Sequence, residues 1–222
     1  MVASPGLGGF LAALEGDFRQ ISQDARRSDG FSGLFSSHDY PEIKEAAERA
    51  VLRVRGIGDQ PGALDQIRSA KVGEGEGGEG GMMWELLRPL TLCCESRSPR
   101  LAAQALSLAT RLLSNDATSE AGAVQLVAAL GSASSIPDEG VQLKCLGAAL
   151  ALLQSSGQPR NAEGLRGVLG VCFGLLGRKG LKASVAGTAA GTLRQALVVL
   201  LDAVYVSLAE SGQLEGLDRV EE

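Results

Sequence analysis

From Met82 to Glu210 the chain is a succession of helix-length apolar runs, each closed by turn residues: MMWELLRPLTLCC, PRLAAQALSLATRLLS, TSEAGAVQLVAALG, PDEGVQLKCLGAALALLQSS, AEGLRGVLGVCFGLLG and KASVAGTAAGTLRQALVVLLDAVYVSLAE. Runs of this length can bury their apolar sides only against one another. Strands offer no way out, because only eight residues are aromatic and Ala and Leu outnumber Val and Ile. The chain therefore reads as all-α. In the Gln142 to Gln154 helix, Val141, Cys145, Ala149 and Leu152 form one stripe, while Leu143, Leu146, Leu150 and Leu153 form another. A helix apolar on two sides belongs between helix layers, so the spacing predicts an armadillo/HEAT-like α-solenoid of roughly eight to ten helices. No clean sequence repeat accompanies it, so the solenoid rests on spacing rather than self-similarity.

Two longer helices precede these runs. The first covers Leu7 to Asp24, with Leu7, Phe10, Leu11, Leu14, Phe18 and Ile21 on one stripe. The second lies in DYPEIKEAAERAVLRVRGI, Asp39 to Ile57, bracketed by Pro41 inside its start and Gly56 at its end. Here Ile43, Ala46, Ala47, Ala50, Val51 and Val54 form the stripe that wants a partner. On the outer side Glu45 stands four residues before Arg49, and Arg49 four before Arg53, a spacing read as support for an exposed helix face. A short third helix after Pro61 carries Leu64, Ile67 and Val72. Pro99 opens a helix, and Thr118 or Ser119, Pro137 and Asn161 stand where caps or first-turn residues belong.

Between these elements, RRSDGFSGLFSSH and GEGEGGEGG are too polar and flexible to pack. The domain reading is one helical domain over 1–222, with flexible loop insertions at 29–38 and 73–81 and a frayed tail at 211–222. Gly167, Gly170, Gly174 and Gly177 lie near one side of the Leu165 to Gly177 helix. A groove for close backbone approach is one reading; a general habit of glycine, 30 in all, is the favoured one. Each interior glycine costs about 1 kcal/mol against alanine, so that region reads as marginally stable.

The N-terminus has no basic residue before its first apolar run, which argues against a signal peptide. The stretch from Leu193 to Ala209 contains Arg194, Gln195 and Asp202 and falls short of the roughly 20 clean residues of a membrane span. A soluble, intracellular chain is expected. Cys93, Cys94, Cys145 and Cys172 all sit in apolar runs and read as buried free thiols.

Chemistry-bearing constellations are missing from the pattern. His38, the single histidine, stands in a loop without a cysteine or paired carboxylates at a recognisable spacing, and reads as solvated rather than as a general base. There is no Cys-x-x-Cys or Cys/His set for zinc, and the adjacent Cys93 and Cys94 point to different faces of a helix. The glutamates of GEGEGGEGG would repel phosphate, and GRKGLKAS, Gly177 to Ser184, has the wrong order for a nucleotide loop. No catalytic residue, metal ligand or cofactor is assigned.

One electrostatic feature stands out. Between Lys144 and Arg194 there are seven basic residues and one acidic, Glu163, a local charge of +6 in a chain of −5, which leaves −11 elsewhere. Arg160, Arg166, Arg178, Lys179 and Lys182 form a candidate patch for anionic lipid or an acidic partner. Nucleic acid is the weakest reading, since aromatic interleaving and an overall basic balance are absent.

Two runs carry a resemblance. Pro41 to Glu48, PEIKEAAE, and Thr188 to Gln195, TAAGTLRQ, are similar to the two ends of the N-terminal dimerization and cyclophilin-binding (DCB) domain of the large Arf guanine-nucleotide exchange factors. The likeness is strongest to the branch that keeps the flanking helical domains but lacks the catalytic Sec7 exchange domain. It covers most of the chain. The resemblance implies a non-enzymatic scaffold that self-associates, contacts a neighbouring helical domain of a longer protein, and is recruited from the cytoplasm to trans-Golgi or endosomal membranes. An Arf-like small GTPase is the implied ligand. Lys44, Glu45, Glu48 and Arg49, with Arg194 and Gln195, are then the candidate partner-binding residues. The alternatives are direct attachment to anionic membrane through the basic patch, or a generic protein-interaction adaptor.

Overall fold

Helix boundaries follow local chemistry through most of the computed structural model, which describes residues 6–26, 40–58, 62–69, 81–155 and 162–210. Nine helices occur among these residues: α1 (Leu7–Ala25), α2 (Pro41–Ile57), α3 (Ala63–Ser69), α4 (Met82–Glu95), α5 (Pro99–Ser114), α6 (Glu120–Ser134), α7 (Glu139–Gln154), α8 (Ala162–Leu176) and α9 (Ala183–Glu210). Pro41 and Pro99 open α2 and α5 at positions where the missing N–H costs nothing. The Ser119 hydroxyl accepts from the Gly122 N–H at 3.1 Å, and the Asp138 carboxylate from the Val141 N–H at 2.8 Å, which caps α6 and α7. Thus Ser119, not Thr118, is the cap of α6; the Thr118 hydroxyl is buried without a hydrogen-bond partner. Pro137 only precedes the cap of α7, because Asp138 has the oxygen that a cap requires. Asn161, Val72, His38 and the stretches 29–38, 73–80 and 211–222 lie outside the described residues.

The helices form two layers. One contains α1, α5, α7 and α9, each packed on the next; the other contains α2, α4, α6 and α8. Hairpins α1/α2, α4/α5, α6/α7 and α8/α9 tie the layers together. This is the α-solenoid expected from spacing. All six stripe residues of α2 are buried, and so are those of α1 except the half-buried Leu7. In α7 the stripe Val141, Cys145, Ala149 and Leu152 is fully buried, whereas Leu143 and Leu150 of the opposite stripe are only half-buried.

Close approach explains one glycine of α8. A Cβ on Gly167 would overlap the Val127 side chain of α6, so this crossing needs a glycine; Gly170 and Gly174 face open space. The four thiols are free and buried. Both Cys93 and Cys94 are buried although they point to different faces, because α4 packs on α2, α5 and α6.

Buried polar contacts join distant parts of the stack. Asp24, in the last turn of α1, accepts from Gln20 Nε2 at 2.9 Å and from the Gln104 amide of α5. Arg100 Nη2 donates to the Asp24 carbonyl at 2.7 Å, satisfying a backbone acceptor that the helix end leaves open.

Candidate functional site

The predicted row on α2 is exposed at Glu45, Glu48 and Arg49 and half-buried at Lys44. Most of its charge is engaged within the fold. Arg49 pairs with Glu45 one turn earlier. Arg26, just after α1, reaches Glu48 at 2.5 Å, and the Ser22 hydroxyl donates to the same carboxylate at 3.2 Å. The Arg26 hydrogen bond is the main reason the Glu48 carboxyl titrates below its usual range. Arg53 does not support Arg49, whose charge it shares; it crosses to Glu85 of α4 instead. Glu15 receives Arg55 at 2.6 Å and Arg19 at 2.5 Å, and the Arg55 hydrogen bond leads the lowering of its pKa.

Beside this row a groove of about 370 Å³ opens between α1 and α2, lined by Arg19, Ser22, Gln23, Arg26, Glu48, Val51 and Leu52. Its walls combine a paired charge layer with an exposed leucine, the composition of a protein-contact rim more than of an enclosed ligand pocket. Among the described residues, no three His, Cys, Asp or Glu side chains converge to hold a metal ion.

The described basic residues lie on several elements. Lys179 and Lys182 are exposed and Arg178 half-buried in the short connection between α8 and α9. Arg166 is exposed in the first half of α8, about 15 Å of helix from the end of that helix at Leu176. Lys144 lies on α7 and donates to Ser107 of α5 at 2.5 Å. Arg160 is outside the described residues.

Arg194 and Gln195 are both exposed on α9. It begins at Ala183 and runs as one piece to Glu210. By length and composition Ala183–Ala209 could cross a membrane, with only 11% of its most apolar window buried. The Leu193 to Ala209 stretch, with Arg194, Gln195 and Asp202, falls short of a span by itself; the length is reached by including Ala183 to Thr192. Packing on α7 and α8 nevertheless holds the first half through Val185, Ala189, Thr192 and Ala196. Beyond Ala196, Val199 still packs against the core, while Leu197, Val198, Leu201, Val204, Tyr205 and Val206 are all exposed. Sequence periodicity missed this surface because an all-round apolar run reads as core.

Residues 8–207 match the family model described as Mon2/Sec7/BIG1-like, dimerisation and cyclophilin-binding domain. A curated relative, Monensin-resistant homolog 2 of Caenorhabditis elegans, is 33% identical over 119 residues. That alignment covers 51% of this chain and 6% of the relative, so the match concerns a small part of a much longer protein.

Proposed function

This chain belongs to the Mon2/Sec7/BIG1-like family of dimerisation and cyclophilin-binding domains, and on that premise we propose that it is a non-catalytic scaffold of a Golgi and endosome trafficking protein. In this reading it self-associates, contacts a neighbouring helical domain, and is recruited to trans-Golgi or endosomal membranes by a protein such as an Arf-like small GTPase. The observation that supports it best is the run of exposed apolar side chains beyond Ala196, which a two-layer helical stack leaves uncovered at its end. Large uncovered apolar patches mark sites of macromolecular contact. Light scattering after size exclusion tests self-association: a species larger than one chain at tens of micromolar is expected, and a strict monomer removes that part of the proposal. For the GTPase, pull-down against a panel in both nucleotide states should give nucleotide-dependent capture.

A second reading has its own observation, the exposed Lys179 and Lys182 beside Arg178 in one short connection. Such a cluster suits the anionic surface of a membrane, at about 1 kcal/mol per cation. Flotation with anionic vesicles should then succeed at low salt and weaken as salt rises. Failure at every salt concentration disposes of direct attachment.

A further inference from the structure

We propose that two copies of this chain pair antiparallel through the outer stripe of the free end of α9. The proposal rests on the self-association reading above and adds where the copies meet. Leu197, Leu201, Val204 and Leu208 follow one another at spacings of 4, 3 and 4 residues. That is the seam spacing of paired helices. Leu197, Leu201 and Val204 are exposed and Leu208 is half-buried, and Tyr205 widens the stripe. Asp202, the sole charged residue between Arg194 and Glu210, lies about 100° around the helix from Leu201 and so stays off the seam.

Lipid fits this surface poorly. Helices that lie in a membrane interface carry cations along their polar face, and no Lys or Arg occurs between Gln195 and Glu210. Lys179 and Lys182 are at the opposite end of α9, with Lys182 about 22 Å of helix from Leu197. The part past Val199, Leu200 to Glu210, is about 16 Å long. It falls short of the roughly 30 Å hydrocarbon layer.

A second copy is complementary in both shape and charge. Antiparallel pairing sets Leu197 against the second copy's Leu208, and Leu201 against its Val204, so every seam position meets an apolar one. Arg194 then lies beside the C-terminal end of the second copy's α9, whose open carbonyls carry partial negative charge. Parallel pairing would instead bring Arg194 against Arg194. The seam is short, so association is concentration-dependent.

Sedimentation velocity of the full 222-residue chain, from low to tens of micromolar, should show a monomer giving way to a dimer. Leu201→Arg should abolish the dimer without changing helicity, or the thermal midpoint at concentrations where the wild type is monomeric. Phe173→Arg serves as the control, since Phe173 on α8 is 59% exposed against 66% for Leu201, and it should leave the dimer intact. If Leu201→Arg lowers helicity, Tyr205→Ser carries the same expectation with a smaller change. Under mild oxidation, chains bearing Leu197→Cys mixed with chains bearing Leu208→Cys should cross-link, while Leu197→Cys alone should not. The native thiols are buried and do not confuse the result. A wild-type dimer that survives both Leu201→Arg and Tyr205→Ser overturns this interface while leaving self-association standing. A wild type that is monomeric throughout overturns both. Cross-linking of Leu197→Cys to itself overturns the antiparallel geometry, and flotation with neutral phosphatidylcholine vesicles in place of dimerisation assigns the stripe to lipid instead.

Discussion

Gly167 of α8 sits so close to Val127 of α6 that a Cβ on the glycine would overlap the valine's Cγ1 methyl. Two glycines on the same helix, Gly170 and Gly174, meet nothing. Gly167→Ala should therefore destabilise the fold by about 1–3 kcal/mol through overpacking. Gly170→Ala and Gly174→Ala should each stabilise it by up to about 1 kcal/mol, because they remove only the helix penalty of glycine. Urea unfolding of the three variants decides it, and a Gly167→Ala protein as stable as wild type would refute the close-approach account.

Asp24 is the buried anchor between α1 and α5. Asp24→Ala leaves the Gln20 and Gln104 amides short of an acceptor and should cost about 2 kcal/mol. Asp17, whose ion pair with Arg111 is partly exposed, is the comparison; Asp17→Ala should cost less than about 1 kcal/mol. Equal losses for the two would deny Asp24 its special place.

Stability should fall on the alkaline side through the buried thiols. Burial pushes the Cys94 thiol from its ordinary 9.0 up to about 12 and raises Cys93, Cys145 and Cys172 as well. The unfolded chain releases these protons first, so the contribution is full below pH 9 and drains away between there and about 12. Cys94→Ala should show a shallower loss of denaturation midpoint than wild type between neutral pH and about pH 10. On the acid side the sign reverses. The arginine-held carboxylates of Glu15 and Glu48 have lowered pKa values, so what they add is present above their usual 4.5 and lost as pH falls below it.

The α2 row can be altered without harming the fold. Exchanging the charges by Glu45→Lys with Arg49→Glu keeps a pair one turn apart and should change stability by no more than a few tenths of a kcal/mol. If a protein partner reads this row, its binding should drop tenfold or more while circular dichroism stays unchanged; unaltered capture of that partner would exclude the row from the contact.

Much of this was legible beforehand because helix propensity and a 3.6-residue stripe act locally. The stripe of α2 from Ile43 to Val54 is buried as its spacing requires, and Pro41 and Pro99 open their helices. What periodicity could not supply was the partner of each charge. Arg53 was grouped with Arg49 on one helix face, yet Glu85 lies 32 residues away in sequence and across a helix contact. The basic residues from Lys144 to Arg194 follow one another along the chain, and only the fold sets the described ones on α7, α8, α9 and the α8–α9 connection.

By itself, the amino-acid order determined that this chain would be a helical stack with buried thiols, since those properties follow from side-chain preference and local spacing. Only the tertiary structure decided where the stack stops covering its own helices. Ala196 and Leu197 are adjacent and both apolar, but they point about 100° apart, so the stack covers the first and leaves the second exposed. Whether an apolar residue becomes core or surface depends on what stands opposite it, and that is set by how the neighbouring helices pack.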